Sequence, residues 1–339
     1  MRNLSRRGFL KSVGMAGMGI GLRAVDYRPS LQGGAITNWD GSPMGRILLN
    51  VMTAYTEPDW RASAAGFLYW NDVVTVQEAV TGNGLYSTNA TWLKTEAGYL
   101  YSSWVQPVDN QPNNPTVPVG ENGAWGMVTV PMTWARGAPA DDGPRRQRMF
   151  YSTVHRISGV ENDYYRVSEI YGGSYWIKAG HVRIIPPEEA APLSPDVPPE
   201  DKLIVVRIGE QMLRAYEGDN EVFSARVSTG MPDTPTPAGE FRVRDKRHGQ
   251  RMTGGLGAGA YNLPGIPWVC YFTASWAATH GCYWHNDYGR RHSNGCVNLP
   301  PASAQWVFRW TTPIADYNAY STRSNPEAGQ PGTRIVVRW

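Results

Sequence analysis

Two proline-rich stretches constrain this chain more than any other feature. Residues 107–120 (PVDNQPNNPTVPVG) carry four prolines and no apolar period, and residues 186–200 carry six. Proline fixes its own φ and removes a backbone donor, so both read as stiff, extended linkers, with 108–120 and 188–200 as the linkers proper. They leave pieces of 45–107, 121–187 and 201–339, each the size of a small domain. A hydrophobic content of 41% supports real cores and excludes a disordered chain. No apolar run approaches the roughly 18–20 residues of a spanning helix, which excludes a polytopic membrane protein. With 32 basic against 29 acidic residues, the charge balance gives no reason to expect a nucleic-acid partner.

The N-terminus reads Ser5-Arg6-Arg7-Gly8-Phe9-Leu10-Lys11, and Ser12 to Leu22 is mildly apolar with glycines at 14, 17, 19 and 21. Adjacent arginines before Phe-Leu-Lys resemble a twin-arginine export signal. Four glycines within eight positions weaken the competing reading of a first helix, at about 1 kcal/mol each. Residues 1–35 are therefore read as signal and leader, and the mature chain as an envelope, cell-wall or extracellular protein with no integral membrane span.

The first two pieces look alike. Asp72–Val76 alternates like a strand, and Trp92–Thr95 and Gly98–Gln106 follow; the second piece has Tyr164–Val167 and then Ser174–Val182. The aromatic strand, glycine turn, aromatic strand ending recurs with about one residue inserted. The 14 Trp and 18 Tyr, against 7 Phe, favour strands and rings with one polar edge. Both pieces resemble bacterial SH3-like β-barrels, and that resemblance implies attachment to wall polymer, with Trp70, Trp104, Trp134 and Trp176 as rings able to stack on a ligand or to fill small cores.

The third piece opens with alternating strands at Leu203–Arg207 and Gln211–Tyr216, a turn at Glu217–Asn220, a strand at Val222–Ser228 and a rigid corner at Thr234–Phe241. Its chemistry is concentrated in residues 279–299, which hold three of six histidines and two of three cysteines. His280, Cys282, His285, His292 and Cys296 are all metal-ligand types, but their spacing matches no zinc-finger or protease pattern, so no metal and no cofactor is expected. The alternative is a thiol nucleophile beside an imidazole. Cys296 suits it: Gly295 precedes, Val297-Asn298-Leu299 and Pro300-Pro301 follow, and Ala302–Trp310 reads as a short helix whose N-terminus adds positive potential. Cys282 lacks that setting. An oxidising envelope would also allow a Cys270–Cys282 disulfide.

His280-Gly281, then Ser293-Asn294-Gly295-Cys296-Val297-Asn298, resembles the L,D-transpeptidase (YkuD) family pattern, and the resemblance covers about 203–338. It implies a mainly β chain: two SH3-like barrels, then a mixed β-sandwich with a short helix after the catalytic cysteine. It also implies Cys296 as nucleophile, His280 as general base and acid, the Gly281 carbonyl orienting His280, and an oxyanion hole at the Gly295 backbone. Ser293, Asn294, Asn298, Tyr271, Trp284 and His285 are the implied substrate contacts, and peptidoglycan stem peptides and wall polymer the implied partners. The implied reaction is a 3→3 cross-link formed with loss of D-Ala; the alternatives are L,D-carboxypeptidase activity and a non-catalytic wall-binding scaffold. Asn294 stands where the family carries a second histidine, and His292, two residues earlier on the same face of an extended segment, is a candidate substitute.

Overall fold

Alternating apolar patterns build strands almost throughout. The structure is a computed structural model that describes residues 38–113, 117–170, 173–255 and 260–339. The export-signal reading of 1–35 lies outside the described residues, as does part of the glycine-rich stretch 252–261.

The first module has β1 (Met44–Ile47), β2 (Val51–Tyr55), β3 (Ala64–Tyr69), β4 (Val73–Thr75), β5 (Glu78–Tyr86), β6 (Asn89–Thr95), β7 (Gly98–Tyr101) and β8 (Val105–Val108). They form two sheets, ordered β4-β1-β8 and β3-β2-β7-β6-β5. The second has β9 (Ala124–Val128), β10 (Met132–Arg136), β11 (Arg145–Phe150), β12 (Val154–Glu161), β13 (Tyr164–Glu169), β14 (Gly173–Lys178) and β15 (Val182–Ile185), in one sheet ordered β11-β10-β14-β13-β12-β9-β15. The repeat read from sequence corresponds to a shared ending: a strand, a 3₁₀ turn (Ser102–Trp104 or Ala179–His181) and a further strand.

The third module begins with β16 (Lys202–Arg207), β17 (Met212–Glu217) and β18 (Asn220–Arg226), and continues through β19 (Gly239–Arg242), β20 (Asp245–Gly254), β21 (Tyr261–Tyr271), β22 (Ala278–Gly281) and β23 (Val297–Leu299). It closes with β24 (Thr322–Arg323) and β25 (Arg334–Arg338). Its two five-stranded sheets are ordered β18-β17-β16-β25-β19 and β23-β22-β21-β20-β24. They are mixed, because β16–β25 and β22–β23 are parallel pairs. β16 lies between two neighbours, which explains its unbroken Leu-Ile-Val-Val run. The β17–β18 hairpin closes through Gly218, whose φ of +58° a tight turn between right-twisted strands needs. The expected mainly β architecture with a short helix after Cys296 is what the chain forms.

The 186–200 linker is not a free extended spacer. It forms one helical turn, α1 (Pro187–Ala190), and ties itself to the helix α2 (Pro301–Trp310): Gln305 Nε2 donates to the Glu189 carbonyl (3.1 Å) and Arg309 Nε to the Ala191 carbonyl (2.8 Å). Proline removes only its own donor, so carbonyls throughout the stretch remain to be bonded.

The second and third modules share a core. Trp125, Met127, Val154 and Ile185 of the second join Ile204, Val206, Trp268, Phe308 and others of the third in one buried cluster. Glycine permits the approach: a Cβ on Gly249 would lie 2.0 Å from the Val154 carbonyl oxygen. The first module grips the third through Arg46, 2% exposed, whose Nη2 donates to the Tyr283 carbonyl (2.8 Å), Nε to Gln106 (2.8 Å) and Nη1 to Asn71 (2.6 Å). Asn286 Nδ2 donates to the Asn38 carbonyl at 2.6 Å and the Ser102 carbonyl at 3.2 Å.

These contacts occupy rings read from sequence as ligand platforms. The Arg148 guanidinium lies over both Trp70 (5.1 Å) and Trp134 (5.0 Å), and Trp104 meets His292 edge-on at 5.7 Å. Among the described residues, no helix is long and apolar enough to cross a membrane.

Candidate active site

The parallel pair β22–β23 sets Thr279 opposite Val297, His280 opposite Asn298 and Gly281 opposite Leu299. One step back, Cys296 lies beside Ala278, with whose backbone its thiol hydrogen-bonds. Alternate strand residues share a face, so His280 is one diagonal step from Cys296, a separation of roughly 7–8 Å between backbone positions. His280 Nδ1 donates to the Gly281 carbonyl at 3.0 Å. A carbonyl can only accept, so the proton is on Nδ1 and Nε2 carries the lone pair.

Gly295, φ +115°, turns the chain into Cys296. A Cβ there would meet nothing closer than 3.7 Å, so the backbone torsion, rather than crowding, calls for glycine. The loop is strapped from the other sheet: Met231 N–H donates to the Ser293 carbonyl (2.8 Å), and Gly230 N–H to Thr236 Oγ1 (2.8 Å), whose hydroxyl faces the Cys296 carbonyl. Cys296 is partly exposed and opens, with Asn294, Gly295 and Tyr271, on a cavity of about 640 Å³. Ser168, Glu169 and Ile170 form part of its wall, so the second module takes part in the cleft.

Both side chains are held neutral. Burial pushes the Cys296 thiol up to about 11, partly offset by the Ala278 backbone. Burial lowers His280 to about 4, against the Gly281 hydrogen bond. The helix expected to assist the thiol begins only at Pro301, five residues after Cys296 and past β23 and Pro300, beyond the first-turn range of its dipole. The resting pair is therefore thiol and imidazole, not thiolate and imidazolium.

Residues 201–337 match the family model of the L,D-transpeptidase catalytic domain, YkuD. No curated protein matches the chain. Among solved structures, a cysteine-to-serine variant of the Enterococcus faecium L,D-transpeptidase is 23% identical, with 40% of this chain and 49% of that one covered and a TM-score of 0.32. An L,D-transpeptidase from Mycobacterium smegmatis is 16% identical, covering 55% and 90%, with a TM-score of 0.34. An LD transpeptidase in complex with imipenem is 17% identical, covering 78% and 99%, with a TM-score of 0.33. This chain spans about half the length of the Enterococcus faecium chain.

Several residues of the L,D-transpeptidase pattern sit differently from the sequence-based expectation. The Gly295 N–H is not an open oxyanion donor, because it donates to Ser293 Oγ at 3.2 Å. Ser293 is buried, and its hydroxyl donates to the Cys296 carbonyl at 2.5 Å, closing the loop into Cys296. Asn298 and His285, each 1% exposed, are also withdrawn from the cleft. The Asn298 amide meets His285 Nε2 at 2.9 Å, and His285 Nδ1 accepts the Asp287 N–H at 3.2 Å. His285 faces a separate cavity of about 520 Å³ at the module junction. His292 does not replace the missing imidazole, since it packs edge-on against His285, centroids 4.2 Å apart, and against Trp104. Trp284 packs beside the His280 ring at 5.8 Å and joins the cluster beneath the cleft.

Cys270 and Cys282 are not bonded. The strands pair as expected, but Cys270 falls opposite Thr279, and both thiols are free and buried. Among the described residues no three His, Cys, Asp or Glu side chains converge on a metal position. Sequence reasoning missed Trp276 and the second-module wall at Ser168–Ile170. The wall is a tertiary contact with no local signal; the signal for Trp276 was the Thr273-Ala274-Ser275 turn before it.

Proposed function

We propose that this protein is an exported peptidoglycan L,D-transpeptidase, with residues 201–339 as its catalytic domain. The observation that carries the reading is a partly exposed cysteine at the floor of a peptide-sized cleft, beside a strand bearing a neutral, carbonyl-oriented histidine, inside a segment that matches the family.

In this reading Cys296 Sγ attacks the carbonyl of the third stem residue while its proton passes to His280 Nε2. Because the thiol is raised and the imidazole lowered, proton transfer accompanies C–S bond formation rather than preceding it. The oxyanion is held by backbone N–H at Cys296, the Gly295 N–H being engaged. Collapse breaks the amide bond, and the departing D-Ala amine takes the proton from His280. An amine of a neighbouring stem then gives up its proton to His280, attacks the thioester and releases the thiol, leaving a 3→3 cross-link. Asn294 contributes a neutral amide to the cleft and no second titrating group. Water in place of the amine gives the carboxypeptidase outcome.

The first two modules, 45–107 and 121–187, are read as SH3-like and wall-binding, and residues 1–35 as the export signal. Trp70 stays 46% exposed beside Arg148, and Phe67 and Tyr69 on β3, each 58% exposed and two residues apart on one face, add further exposed rings to the first module. Incubating the protein with a tetrapeptide stem, with and without an acceptor stem, tests the reaction. Wild type should release D-Ala in both cases and form cross-linked dimer in the second, and Cys296→Ala should do neither. Release of D-Ala by Cys296→Ala at the wild-type rate would reject the assignment.

A further inference from the structure

Trp276 is the residue whose position the mechanism leaves unexplained. It is 58% exposed with φ +68°, a left-handed conformation that bulky residues avoid. The β21–β22 turn enforces it: Ala277 N–H donates to Thr273 Oγ1 (2.8 Å) and Phe272 N–H to the Ala277 carbonyl (2.9 Å). Strain kept in place by its surroundings is concentrated at functional sites. The indole stands edge-on to Tyr271, centroids 5.3 Å apart, and lines the same cavity as Cys296, together with Gln250 and Ser275.

We infer that Trp276 is a substrate-binding residue that stacks on the saccharide joined to the stem peptide, forming an outer subsite of the cleft. This rests on the reading of the protein as a peptidoglycan enzyme and deepens it. Trp276 lies in the turn two residues before Ala278, which neighbours Cys296, so its ring borders the cleft away from the thiol. In the substrate, the third residue itself and two further residues separate the attacked carbonyl from the sugar, so the sugar lies at least about 10 Å out along an extended chain. A pyranose presents an apolar C–H face and a polar rim. The Arg247 guanidinium lies 6.0 Å over the indole, so the pyranose is taken up on the ring's exposed side, with Gln250 and Ser275 supplying polar groups in the same cavity.

The test is equilibrium binding to the full chain carrying Cys296→Ala, with Trp276 intact, Trp276→Ala or Trp276→Phe. The two probes are a disaccharide-tetrapeptide and the same tetrapeptide without sugars. Loss of one stacked ring should weaken the disaccharide-tetrapeptide about three- to tenfold. The free tetrapeptide should be unaffected, and Trp276→Phe should recover most of the loss. Equal weakening of both probes, or no weakening of either, overturns the saccharide assignment and leaves the reaction intact. Failure of the parent to bind either probe removes the peptidoglycan reading and this inference with it.

Discussion

Alkylation of Cys296 by iodoacetamide separates a resting ion pair from a neutral pair. An ordinary thiol at 9.0 is about one part in a hundred thiolate at pH 7; a thiol raised to about 11 is about one part in ten thousand. Alkylation at pH 7 should therefore be about 100-fold slower than for an unperturbed cysteine, and should climb with pH without levelling below pH 10. Cys270 and Cys282 are 0% and 2% exposed, so modification read by intact mass reports on Cys296, with Cys296→Ala as the blank. Because His280 stays neutral down to about pH 4, His280→Ala should leave this rate within about twofold at pH 7. The same variant should slow D-Ala release by about 10²–10⁴, the usual contribution of a general base. A rate that plateaus between pH 5 and 8 and collapses in His280→Ala would refute the reasoning, because it would show a thiolate–imidazolium pair already formed.

Three further outcomes follow from the packing. Arg46→Leu leaves the Tyr283 carbonyl, Gln106 and Asn71 without their buried donor and should cost about 3 kcal/mol in denaturant unfolding; a cost below about 0.5 kcal/mol would mean that the junction is not tight. Gly265→Ala puts a Cβ 2.3 Å from His155 Cε1 at a φ of +61°, and should destabilise by about 2 kcal/mol or more, while the more open strand position Gly66→Ala, which meets no atom within 4 Å, has a small effect. His280 and His155 are buried and lowered to about 4, so the folded state binds fewer protons than the unfolded chain below pH 6.5. Each therefore contributes about 3 kcal/mol that is fully present above pH 6.5 and is lost as pH falls toward 4; thermal midpoints that stay flat from pH 7 to 4.5 would contradict this.

The strands and the helix after Cys296 were legible because they are local. Leu203–Arg207 and Gln211–Tyr216 become β16 and β17, and the helix after Cys296 falls at Pro301–Trp310. What stayed hidden depends on distant partners. Trp70 and Trp134 look like open platforms until Arg148, on a strand of the second module, lies over both. The second linker looks extended until α2 supplies donors for its carbonyls. His285 and Asn298 share a segment with Cys296 and pair with each other away from the cleft, a pairing that spacing alone does not announce.

The most direct measurement is the mass of the enzyme trapped during turnover of a tetrapeptide stem, followed by peptide mapping. The account predicts an added mass equal to the stem minus D-Ala, on the peptide containing Cys296, absent in Cys296→Ala and cleared by an acceptor amine. Turnover with no covalent species, or an acyl group on any other residue, would contradict it.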